Sequence, residues 1–197
     1  YGFLENDDIK IVTVVNYPDG DNKSNENIKD VTEAISDGVD EIDFVLDYKE
    51  LKKAFILQNM LNSNIRDKEL TKEEIKKEQE DIEIKFEKIE NKVKDVSDIC
   101  HRNGVQLKVI IESGELTLEE IKKACEISVR GGADYIMTST GTKEKGAELD
   151  KVIYMKKILP DYVKLKVSGG IRTIQDVEKY YQYVDRIGTS SILKDIK

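Results

Sequence analysis

Short apolar runs alternate with amphipathic stretches along nearly the whole chain, and the two kinds have different periods. The runs are brief, β-branched and bounded by polar residues or Gly, as buried strands are. They cover Lys10 to Asn16 (KIVTVVN), Glu41 to Leu46 (EIDFVL), Gln106 to Ile111 (QLKVII), Tyr135 to Thr138 (YIMT), Val163 to Val167 (VKLKV) and Arg186 to Gly188 (RIG). Helical spacing fills the intervals: Asn25 to Ser36, Tyr48 to Asn62, a long stretch ending near Arg102, Thr117 to Arg130, Leu149 to Leu159 and Thr173 to Tyr183. Thr117 with Glu120 has capping-box spacing, and Gly104 lies just past the helix that ends near Arg102. Six successive βα units predict a parallel sheet with helices outside it.

Residues 62–91 break this rhythm. They are dominated by Lys and Glu with sparse Ile, Leu and Phe, which reads as a charged insertion: a solvated helix, a partly disordered excursion or a partner-binding arm. Thr71 and Glu74 again have capping-box spacing, and Ile75, Ile82, Phe86 and Ile89 form a narrow apolar stripe. Part of the segment is therefore expected to be helical.

Parallel α/β folds place their sites at the carboxyl ends of the strands. Here those ends are polar: Asn16, Glu112, Thr138 with Ser139 and Thr140, Ser168-Gly169-Gly170 and Gly188-Thr189-Ser190-Ser191. Asp43 and Lys166 lie inside otherwise apolar strands, where a charge is costly unless it is paired or functional. Gly169 and Gly170 let backbone approach a ligand, and the amides around Gly188 to Ser191 can open a helix N-terminus suited to phosphate. Tight turns explain either cluster alone; their occurrence on consecutive final strands matches a phosphate site of α/β barrels.

Composition narrows the classes. The chain has 197 residues and a net charge of −8, which opposes general binding to a nucleic-acid backbone and leaves small anionic ligands open. No apolar run approaches the roughly 20 residues of a membrane helix, and no secretory leader pattern is visible. Cys100 and Cys125 lack zinc-type spacing, so reduced thiols and a cytoplasmic setting are expected. His101 is the one histidine, so histidine-based triads and metal sites have little to draw on; it reads as a helix-end residue.

The succession TVVNYPDG (13–20), DEIDFVLDY (40–48), LKVIIESGELT (107–117), GADYIMTSTG (132–141), VKLKVSGGIRT (163–173) and RIGTSSIL (186–193) strongly resembles the deoxyribose-phosphate aldolase family. The resemblance implies a single TIM (β/α)8 barrel domain over 1–197, with these motifs as strands three to eight. The first two strands have no counterpart in this sequence, so an N-terminal portion is expected outside it, and a family tail after Lys197 is expected to be absent too. It also implies reversible cleavage of 2-deoxy-D-ribose 5-phosphate to acetaldehyde and D-glyceraldehyde 3-phosphate, a step of nucleoside catabolism, with no metal or cofactor. The implied partners are a sugar phosphate and an aldehyde, with neither nucleic acid nor membrane; a homodimer is compatible. By motif, Asp43 is the acid/base carboxylate and Lys166 a second lysine that tunes the nucleophile. Gly169, Gly170, Gly188, Ser190 and Ser191 hold the phosphate, and Thr138 and Ser139 line the pocket.

One position departs from the pattern. Met137 stands where the family has its Schiff-base lysine, and a thioether without an amine cannot form an imine. An engineered replacement, a natural change in a catalytically silent relative and a sequence error all fit. Lys166 as substitute nucleophile is disfavoured, since it would lose the neighbouring charge that tunes it. The competing functions are an aldolase, a non-catalytic paralogue that binds a sugar phosphate or, through 62–91, a protein, and another phosphosugar lyase or isomerase on the same barrel.

Overall fold

The structure is a computed structural model describing residues 9–67 and 70–190. Six strands, β1 (Val12–Val15), β2 (Glu41–Val45), β3 (Gln106–Ile110), β4 (Tyr135–Met137), β5 (Lys164–Val167) and β6 (Arg186–Ile187), pair in chain order, each parallel to the next. The sheet curls into half a barrel. The helices are α1 (Ser24–Ser36), α2 (Tyr48–Arg66), α3 (Lys72–Arg102), α4 (Leu118–Arg130), α5 (Leu149–Ile158) and α6 (Ile174–Tyr180), with one 3₁₀ turn at Ser113–Glu115. Every strand expected from the sequence is present, trimmed by one to three residues, and Thr138 and Gly188 fall just past their strands. Among the helices, α2 runs longer than its apolar pattern and α6 shorter.

Alternation along each strand separates two environments. Ile42, Phe44, Leu107, Val109, Ile136, Leu165 and Val167 face the helices and join the main core. The residues between them line the inner face, where register aligns Asp43 with Lys108, and Met137 with both Ile110 and Lys166. Helix starts are fastened as expected: Thr117 N–H donates to Glu120 (2.8 Å), and Glu120 N–H donates to the Thr117 hydroxyl (3.3 Å). Thr71 and Glu74 make the same reciprocal pair. His101 sits in the last turn of α3 and its Nε2 lies 3.0 Å from Asp134, pinning that helix end to the approach to β4.

Within residues 62–91, those up to Arg66 end α2 and those from Lys72 begin α3. The apolar stripe does structural work: Ile82, Phe86 and Ile89 are buried in the core, and Ile75 packs against it. Phe86 meets Phe55 of α2 edge-on at 5.6 Å, and Lys123 of α4 lies over the Phe86 ring, 4.3 Å from its centre. The start of α3 is thus a solvated charged helix over Lys72–Asp81, as expected, and from Ile82 onward it also packs on the domain, because two helices with few apolar residues each share them along one seam. Cys100 and Cys125 are buried and unbridged, and burial pushes both thiols up to about 12. No helix among the described residues is long and apolar enough to cross a membrane.

Phe86→Ala is expected to cost about 3–5 kcal/mol, the usual penalty for emptying an aromatic core site. The exposed control Glu87→Ala should stay within about 0.5 kcal/mol of the parent. Chemical denaturation of both variants decides it; equal midpoints for the two would show that α3 carries no core.

Candidate active site

The inner face of the half-barrel holds charges that no apolar environment tolerates singly. Asp43 on β2 is 7% exposed, and its two carboxylate oxygens each accept from a lysine: Oδ1 from Lys108 on β3 and Oδ2 from Lys166 on β5, both at 2.7 Å. Lys108, with no exposed surface, also reaches Glu41 Oε2 at 2.6 Å, and Glu41 in turn accepts from Arg186 on β6. Arg186, Glu41, Lys108, Asp43 and Lys166 therefore form a ladder of alternating sign across four strands. Burial pushes the Glu41 carboxyl up, but the Arg186 and Lys108 contacts outweigh it and hold the group below its ordinary range. Glu41 raises Arg186 further above its already high value. The Tyr135 ring lies beneath the cations, its centre 5.2 Å from Arg186 and 5.3 Å from Lys164.

The Asp43–Lys166 contact joins the two charges that stood out in the sequence. Sequence reasoning passed over Glu41, Lys108 and Arg186. A signal existed for Lys108, which interrupts the apolar run QLKVII as Lys166 interrupts VKLKV. Glu41 and Arg186 sit at strand starts, where a charge ordinarily reaches solvent.

Met137 ends β4 beside Lys166 and packs on Val45 and Ile110 in a small apolar cluster on the inner face. It opens onto a cleft of about 310 Å³ whose lining also includes Lys166, Gly169, Gly170, Gly188 and Ser190. Of the expected phosphate residues, Ser191 lies outside the described residues. Gly169 and Gly170 have φ of 89° and 83°, a left-handed pair that side chains rarely adopt. A Cβ on Gly146 would fall 2.4 Å from Gly169 O, so the loop after β4 is held directly against the loop after β5. The Gly188 amide donates to Val167 O at 2.7 Å and is already engaged. Thr138 and Ser139 are fully buried, and Thr138 exchanges hydrogen bonds with the Ser168 backbone at 2.8 and 2.9 Å. The lining on this side comes from Met137, Thr140 and Gly141.

Glu112, at the end of β3, acts as an anchor for that wall. It is fully buried with φ of 51°, a costly conformation for a non-glycine residue, and its Oε1 accepts from Thr140 N–H at 2.8 Å. Its Oε2, and the hydroxyls of Ser113 and Ser139, are buried without a partner among the described residues. Across the mouth, Lys143 in the same loop meets Asp19 at 2.6 Å, and Lys143 with Lys49 holds the Asp19 carboxyl low.

The ladder makes acid stability depend on Glu41. A carboxyl held below its ordinary 4.5 stabilises the fold at pH above that value, and the contribution fades as pH falls through the folded pKa. Glu41→Gln should cost about 3–5 kcal/mol near neutrality, because Lys108 stays buried with one counter-charge fewer. The gap to the parent should narrow below pH 4.5. Denaturant titrations at several pH values test this; a gap that widens toward acid would contradict it.

Comparison with known proteins places this geometry. No protein-family model matches the sequence. Deoxyribose-phosphate aldolase from Thermococcus kodakarensis is 32% identical over 98% of this chain and 73% of its own length. The Thermotoga petrophila protein of the same name is 36% identical over 98% of this chain, which spans 66% of that relative. The tetrameric deoxyribose phosphate aldolase of Aeropyrum pernix superposes with a TM-score of 0.71 at 23% identity, over 94% of this chain and 66% of that one. That superposition carries the fold, and the six parallel strands correspond to part of a TIM barrel. With its ordered motifs and an identity above 30% across nearly all its length, the chain belongs to the deoxyribose-phosphate aldolase family.

Proposed function

We propose that the cleft is that of a class I aldolase acting on 2-deoxy-D-ribose 5-phosphate, and that Met137 suspends the imine step in the chain as written. The observation that carries this reading is the position of Met137: it adjoins Lys166 in register and lines the same cleft as the Gly169-Gly170 loop. A sugar phosphate with its phosphate against that loop would direct its aldehyde carbon toward position 137.

With lysine at 137 the chemistry would run as follows. The amine adds to the aldehyde carbon and water leaves, giving an imine that withdraws electrons. The hydroxyl on the third carbon loses its proton to the Asp43–Lys166 pair, the bond between the second and third carbons breaks, and glyceraldehyde 3-phosphate departs. The remaining enamine takes a proton and is hydrolysed to acetaldehyde. The ladder already contains three cations, Arg186, Lys108 and Lys166, against two anions, Glu41 and Asp43. A lysine amine added there is favoured in its neutral, nucleophilic form by that excess of positive charge. Lys166 is a poor substitute, because its amine is engaged by Asp43 at 2.7 Å.

Met137 itself favours a second reading, a non-catalytic member of the family that keeps a sugar-phosphate pocket. The experiment is intact-mass measurement on the full-length protein and on Met137→Lys, each treated with acetaldehyde and borohydride, together with an assay for cleavage. The expected outcome is no adduct on the parent, one ethyl adduct on Met137→Lys and turnover only in that variant. An adduct on the parent at Lys166 would overturn the role of Met137. Met137→Lys without adduct or turnover would favour the non-catalytic reading.

A further inference from the structure

The peptide between Ser139 and Thr140 is gripped from two strands at once. Its N–H donates to Glu112 Oε1, at the end of β3, at 2.8 Å, and its carbonyl accepts from the Ser168 hydroxyl, just past β5, at 2.5 Å. A planar trans peptide points these two groups in opposite directions, so partners on both sides fix its rotation. That rotation decides how Thr140 and Gly141 face the cleft they line. The loop they open returns to the glycine loop after β5: Ala147 N–H donates to Gly169 O at 3.1 Å, beside the close approach of Gly146.

Glu112 has no exposed surface and does not line the cleft, so it acts on a ligand only through what it holds. A buried carboxylate on a left-handed backbone is costly to keep, and its Oε1 is spent on this one amide. Position 137 is secured separately. Ile111 N–H donates to Met137 O at 3.0 Å and Thr138 N–H to Lys166 O at 3.1 Å, as in any parallel ladder. Loss of the Glu112 contact therefore releases the wall that faces Gly169 and leaves the reacting position in register.

We infer that Glu112 is a positioning residue for the phosphate end of the substrate: by fixing the Ser139–Thr140 peptide it gives the cleft its preference for a phosphorylated over an unphosphorylated sugar. This role rests on the sugar-phosphate reading of the cleft proposed above. A hydrogen bond to a charged group is strong enough to change an equilibrium about tenfold or more. Glu112→Gln keeps an acceptor oxygen of the same reach for the Thr140 amide; Glu112→Ala keeps none.

The test takes the full-length protein with Met137→Lys and compares Glu112, Glu112→Gln and Glu112→Ala in the cleavage of 2-deoxyribose 5-phosphate and of unphosphorylated 2-deoxyribose. Calorimetric titration with inorganic phosphate is run on the same three forms with Met137 retained. Glu112→Ala should lower the ratio of kcat/KM for the two sugars at least about tenfold, chiefly through KM for the phosphorylated one, and weaken phosphate binding by a similar factor. Glu112→Gln should restore both to within about threefold of the parent. The ratio is blind to the fraction of enzyme folded, so a merely destabilised variant cannot reproduce the result. Equal losses on both sugars, or a Gln variant as impaired as the Ala variant, would overturn the role. Met137→Lys without turnover would sink the aldolase reading alone, because phosphate affinity then decides: a parent that binds no phosphate, or an affinity indifferent to Glu112→Ala, overturns the role of Glu112.

Discussion

Lys108 is the residue around which the inner face is organised. Its ammonium has no exposed surface and lies within hydrogen-bond distance of both Glu41 and Asp43. A lone cation there would cost more than the rest of the strand could return, so both carboxylates have to be present and correctly placed. Each of them then has a second cation to satisfy, Arg186 for Glu41 and Lys166 for Asp43. One buried charge thereby fixes the relative positions of β2, β3, β5 and β6 on the face where the cleft opens. The outer face needs no such arrangement, because helices cover it with apolar side chains.

Met137 is placed at the boundary of these two chemistries. It is flanked in register by Ile110 on one side and Lys166 on the other. Its thioether completes an apolar patch with Val45 and Ile110 and places no further charge beside the ladder. Packing therefore accepts Met at this position comfortably, which separates the demands of the fold from those of imine chemistry. The cleft wall beyond it depends on distant support: buried Glu112 holds Thr140, and Gly146 admits Gly169 at a distance no side chain would permit. A single strained glutamate after β3 thus sets the position of a loop that begins after β4.

The α2–α3 pair shows how few apolar residues a helix needs when a partner shares them. Charged residues occupy most of its surface, yet Ile82, Phe86 and Ile89 reach the core, and the sparse stripe is sufficient. The same economy leaves Leu57, Met60 and Ile84 outside, with charges of opposite sign at the two ends of their groove.

Much of this was legible in the sequence for physical reasons. Strand and helix periods are local, so six βα units, the Thr71 and Thr117 caps and the polar strand ends could be read directly. Asp43 and Lys166 stood out because each interrupts an apolar run. The ordered motifs pointed to the family, and Met137 was visible as a departure from them. Tertiary structure decided what depends on pairing at a distance. Only the sheet register brings Lys108, between two hydrophobic residues, against Asp43, 65 positions earlier, and Arg186 against Glu41, 145 positions away. Only packing shows that Ile82, Phe86 and Ile89 belong to the core, that Thr138 is turned toward Ser168, and that Glu112 anchors the cleft. A sequence reveals which residues are out of place in their local pattern; which of them satisfy one another is settled when the strands align.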